Sequence, residues 1–133
     1  MLYNTKSRTP TSCFFLVQGT VSIAWWYLIF SDDRLRYLFF GPLAWEAVKA
    51  FVVPDAIFYV IGSYVCAWAV HQSPRYRVGA LFLMAGGCGY ATLLTVGLAC
   101  TFKTGWIGSC LMLASLVCTI LLTLVHSQKE PDK

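Results

Sequence analysis

Residues 31–55 read SDDRLRYLFFGPLAWEAVKAFVVPD. The stretch is too long for a tight turn and too apolar for a solvated loop, yet Glu46, Lys49 and Asp55 punctuate its second half. Its reading decides how often the chain crosses a membrane. A span over about residues 35–53 is long enough to cross. It would place Glu46 and Lys49 in hydrocarbon, at about 2.5–3.5 kcal/mol for each central charge. It would also leave almost no loop before the next apolar run.

The alternative is a short amphipathic helix over about residues 43–52, lying in the membrane interface. Pro42 suits a helix start, where its missing N–H would be unpaired in any case. At the helical repeat, Glu46 and Lys49 fall about 60° apart, and opposite charges three residues apart neutralise one another. Leu43, Ala47, Val48, Phe51 and Val52 cover the other faces, as in a helix with a thin wet edge. Pro54 disfavours helical geometry at Val53 and lacks the N–H of a continuing helix. A new span is therefore expected to start near Asp55, whose carboxylate meets the positive end of the helix dipole.

Outward from this stretch the chain is simpler. Ser12 to Phe30, SCFFLVQGTVSIAWWYLIF, holds no charge, and at 1.5 Å per residue it extends about 28 Å. It ends in WWYLIF followed by SDDR, a poor cleavage site, so it reads as an uncleaved span and not as a signal peptide. Further apolar runs cover about 55–71, 78–100 and 106–125, separated by HQSPRYR and TFKTG. The expected fold is an all-α integral membrane protein. It has four transmembrane helices in a bundle, a single domain over 1–133, and the interfacial helix between spans 1 and 2. No internal repeat is evident.

Composition agrees. Of the 133 residues 58% are hydrophobic and only 12% charged, about half the charged share of a soluble domain. The net charge of +4 comes from scattered loop and terminal residues, with no basic stripe interleaved with aromatics. Nucleic acid is not an expected partner. With four spans, Lys6, Arg8, Arg75, Arg77, Lys129 and Lys133 share one side, against Arg34, Arg36, Lys49 and Lys103 on the other. The excess points both termini to the cytoplasm or its organellar equivalent. None of the six cysteines forms a Cys-x-x-Cys pair or has a histidine at metal-ligand spacing, and no metal site is expected. They read as small apolar residues of the spans. Cys100 and Cys110 flank one loop and would pair only in an oxidising compartment.

The third span repeats small residues every fourth position, at Gly87, Ala91, Thr95 and Ala99, and the fourth span answers with Ser115, Thr119 and Thr123. Such faces let backbones approach closely where lipid offers no hydrophobic drive. They would serve packing within the bundle, a partner subunit or a second copy.

Three polar groupings offer chemistry. Glu46, Lys49 and Asp55 would form a proton, cation or headgroup site if the chain bends at Pro54 to bring Asp55 back towards Lys49. His71 and His126 end two spans at the same membrane face and could ligate a b-type haem, although a histidine at a helix C-terminus also suits the dipole. Gln18 and Ser22, with Tyr64 and Tyr90, would hydrogen-bond across the bundle or line a pocket for a lipid, quinone or isoprenoid. No nucleophile–base pair or phosphate loop is present, so catalysis has no motif beneath it. The expected function is that of a non-catalytic accessory, assembly or stabilising subunit of a larger membrane complex, with lipid and other membrane subunits as partners. The alternatives are a small oligomeric carrier using Glu46, Lys49 and Asp55, or a lipid- or isoprenoid-binding partner of an enzyme.

Overall fold

The structure, a computed structural model, describes residues 8–43, 45–72 and 74–128. Lys6, Lys129 and Lys133, which enter the orientation argument, lie outside the described residues. Five helices follow in order: α1 (Arg8–Ser31), α2 (Asp33–Phe40), α3 (Trp45–Gln72), α4 (Pro74–Phe102) and α5 (Trp106–Ser127). Four of them, α1, α3, α4 and α5, are long and apolar enough to cross a membrane. There is no strand among the described residues.

The second span differs from expectation. No separate helix covers 43–52, and the span does not begin at Asp55; residues 45–52 are the opening turns of one helix that runs on to Gln72. Two physical reasons account for this. At 1.5 Å per residue α3 extends about 42 Å, well beyond the roughly 30 Å hydrocarbon core. Glu46 and Lys49 sit in its first two turns, so the cost of a mid-membrane charge does not arise. Glu46 also lies in the first turn, where the helix dipole favours an acid. The second reason is the local accommodation of Pro54. A proline inside a helix withdraws one hydrogen bond and crowds the carbonyl four residues earlier. The stretch Ala56–Ile61 directly after it is π-helical, one of the adjustments by which membrane helices tolerate proline.

The short helix between the first two spans is instead α2, upstream of the expected place. Asp32 caps it, its Oδ1 accepting from the backbone N–H of Arg34 (2.8 Å) and Leu35 (3.4 Å). Gly41 ends it at φ +59°, a conformation that favours glycine, with its N–H on Tyr37 O at 2.7 Å. A side chain at Gly41 would also run into Thr104 of the loop before α5.

Around the bundle, α1 packs on α3, α3 on α4, and α4 on α5. Close approach between α1 and α3 rests on Gly19, where an added Cβ would meet Tyr64 and Ser63 at 3.2–3.3 Å. Ser12 Oγ donates to Ala67 O (3.0 Å), and the Thr20 and Tyr64 hydroxyls share a hydrogen bond of 3.0 Å across the same seam. The last pairing, α5 to α1, is tied at one end by Thr11 Oγ1 and His126 Nε2, 3.1 Å apart. At the other end α2 bridges α1 and α5. Two apolar cores result. One gathers Phe15, Tyr59, Cys66, Val70, Leu81 and Cys88 in the body of the bundle. The other gathers Trp26, Ile29 and Val48 under α2.

Candidate functional site

Between these cores lies a cavity of about 300 Å³, at the lower end of the range for small-molecule sites. Its placement follows from the sequence. Ala91, Thr95 and Ala99 of the small-residue stripe on α4 all line it, as do Gly108 and Ser109 of α5. Where large residues would fill the space between helices, these leave it open. Gly87, one turn earlier on the same stripe, packs instead on Phe58, which an added Cβ would approach to 2.6 Å. Thr119 is fully buried and, with Thr123, takes part in hydrogen bonding within α5 and towards α4.

Most of the wall is apolar and much of it aromatic. Trp25 of α1 meets Phe39 of α2 edge to face, with ring centroids 4.1 Å apart, and Trp26 stacks near Phe40 at 6.1 Å. Together they close one end of the cavity. Val21, Tyr90, Phe102 and Leu111, from α1, α4 and α5, line it while remaining exposed on the outer surface of the bundle. They rim a sideways opening between helices, on the face that lipid would cover.

Against this wall stands a small polar group. Asp55 of α3 lines the cavity and accepts a hydrogen bond from Trp26 Nε1 at 3.2 Å through Oδ2. Tyr59, four residues on and only 4% exposed, presents its hydroxyl near Cys88 and Ser115. Gln18 of α1 turns its amide nitrogen to Cys88 Sγ at 3.9 Å. Three buried atoms here, Gln18 Oε1, Tyr59 Oη and Ser115 Oγ, make no well-formed hydrogen bond among the described residues, although the Tyr59 hydroxyl has Cys88 and Ser115 beside it. All three residues line the same cavity. Buried polar atoms are nearly always satisfied by protein, water or ligand, and leaving one unpaired costs about 1–3 kcal/mol. Gln18, Tyr59 and Ser115 thus bring underused polar groups to the wall of an otherwise largely apolar cavity.

The structure separates the charged trio. Lys49 Nζ donates to Glu46 Oε1 at 2.9 Å on the outer surface, where the Glu46 side chain is 81% exposed. Lys49 also lies over the Trp45 ring at 5.4 Å. Asp55 lines the cavity inside the bundle, on a helix that runs on through Pro54, whereas Glu46 and Lys49 pair with each other on the outer surface. The two histidines are likewise placed apart in kind. His126 is buried against Thr11, whereas His71 is exposed beside a shallow second depression with Trp68 and Gln72. Neither depression is lined by both histidines. Cys100 and Cys110 are exposed thiols.

Of the polar residues singled out inside spans, Gln18, Ser22 and Tyr90 line the cavity and Tyr64 does not. Sequence reasoning passed over Tyr59 and read Ser115 as a packing residue. A signal for Tyr59 was present: it follows Asp55 by four residues, the spacing that places two side chains on one helical face. No protein-family model, curated protein or solved structure matches the chain.

Proposed function

We propose that this four-span membrane protein binds one slender amphipathic molecule of the lipid or isoprenoid type in the cavity between its two cores, without catalysis of its own. The observation that carries the reading is one apolar, largely aromatic cavity whose lining includes Asp55 with Gln18, Tyr59 and Ser115, residues whose buried oxygens make no well-formed hydrogen bond among the described residues. A polar head would lie beside these residues, and an apolar chain would lie along the aromatic wall towards the sideways opening. A cavity of about 300 Å³ suits a single-chain ligand better than a two-chain phospholipid. Both termini face the cytoplasm or its organellar equivalent on the Lys/Arg count.

Native mass spectrometry of protein extracted in a mild detergent tests the proposal. One retained amphiphile per chain is expected, surviving activation that strips detergent. A chain carrying only a random scatter of detergent and bulk lipid would contradict it.

An accessory role in a larger membrane complex is the second reading, and one observation favours it. Nearly all described residues lie in helices, and none belongs to a separate extramembrane domain that could carry its own activity. Ligand holding and accessory membership are compatible, since a bound lipid can be presented to a partner. Co-purification in mild detergent would reveal a partner subunit or a second copy; a lone chain that fulfils its role when reconstituted would remove this reading.

A further inference from the structure

The chemistry of the lining also selects the head group. Asp55 is the only charged side chain among the described residues that line the cavity; no Lys, Arg or His joins it. Trp26 occupies one carboxylate oxygen at 3.2 Å, and the other has no hydrogen-bond partner among the described residues. Gln18, whose Oε1 makes no hydrogen bond among the described residues, brings a second acceptor to the same wall. Tyr59 and Ser115 add hydroxyls that can accept as well as donate. The site is therefore rich in acceptors, and its surround of Trp25, Trp26, Phe58 and Tyr59 offers ring faces.

An anionic head would set a second negative charge beside Asp55 with no base to offset either, which a low-dielectric site penalises heavily. Phosphorylated isoprenoids, fatty acids and anionic lipids are thus disfavoured. A cationic nitrogen reverses the sign of each term. It pairs with the carboxylate, donates to the acceptors and gains from the aromatic faces.

We propose that the cavity takes a protonated alkylamine, with Asp55 as its counter-ion and Gln18, Tyr59 and Ser115 in the wall beside it. The inference rests on the amphiphile-binding reading above and specifies its ligand class.

The test compares three probes of one chain length, dodecylamine, 1-dodecanol and dodecanoate, by their saturable shift of the thermal unfolding midpoint of the full chain in a neutral maltoside detergent. The wild-type protein is expected to bind the amine about tenfold or more tightly than the alcohol, because charge-assisted hydrogen bonds are the stronger kind. The carboxylate is expected to bind weakest. Asp55→Asn should bring the amine down to the alcohol while leaving the alcohol within about twofold, and Asp55→Glu should keep the preference. If Asp55→Asn does not fold, the wild-type ranking still decides. Equal binding of amine and alcohol, or tightest binding of the carboxylate, would overturn the amine assignment and leave amphiphile binding standing. No saturable shift with any of the three would overturn both.

Discussion

Glu46 and Asp55 are carboxylates nine residues apart on one helix, and their surroundings share almost nothing. Glu46 lies in the first turn of α3, open to the outside and paired with Lys49 one turn on. Asp55 lies beyond Pro54, turned between the helices, held by an indole N–H and lining a cavity together with Gln18, Tyr59 and Ser115, whose buried oxygens make no well-formed hydrogen bond among the described residues. The first arrangement is self-sufficient: charge meets charge at a helix end, and such exposed pairs are worth little. The second sets an acid and underused polar groups along one largely apolar wall. An acid in an apolar run is therefore weak evidence of a site, and an acid among unpartnered polar atoms is much stronger.

Four substitutions sharpen that contrast. The largest effect is expected at Trp26, which is 7% exposed and donates to Asp55. Trp26→Phe removes the donor and part of the packing under α2. It should destabilise the fold by about 2 kcal/mol in reversible detergent unfolding; a loss under about 0.5 kcal/mol would mean that the indole does not hold Asp55. Next comes Gly87→Ala, which must displace Phe58 from the cavity wall. A cost of about 1–3 kcal/mol is expected, and an unchanged midpoint would show that the wall yields freely.

Tyr59→Phe is the most diagnostic of the smaller changes. Its hydroxyl, beside Cys88 and Ser115, makes no well-formed hydrogen bond among the described residues. Deleting it should leave stability unchanged or raise it by up to about 1 kcal/mol, while weakening retention of the bound amphiphile severalfold. A marked loss of stability would instead assign the hydroxyl a structural partner. Smallest of all, Glu46→Gln should change stability by no more than about 0.5 kcal/mol and leave ligand retention untouched. An effect on retention would return Glu46 to the site.

The four spans were legible because a membrane imposes long uncharged runs, and α1, α4 and α5 lie close to their expected bounds. The second span was not, because Pro54 and the Glu46–Lys49 pair both suggest an end when read locally. What makes them tolerable is not local. α3 is long enough to cross a hydrocarbon core with Glu46 and Lys49 beyond its edge, and a π-helical stretch follows the proline. At the cavity, Gln18, Ser22 and Asp55 stood out in the sequence because polar residues in an apolar run are conspicuous. Tyr59 did not, because a tyrosine in a span can face outward, as Tyr64 and Tyr90 do, or inward, and the sequence does not say which. The stripe of Ala91, Thr95 and Ala99 was visible as a pattern, but its meaning depended on what faces it. Small residues make a tight contact or a cavity according to how near the opposing helix comes, and that distance belongs to the tertiary structure.

Ligand occupancy measured by native mass spectrometry on two paired variants tests the central claim most directly. One variant carries Tyr59→Phe with Ser115→Ala inside the cavity, and the other carries Glu46→Gln with Lys49→Met outside it. The account predicts that the first loses most of its bound amphiphile while the second retains the wild-type amount. Equal retention by the two, or loss confined to the second, would contradict it.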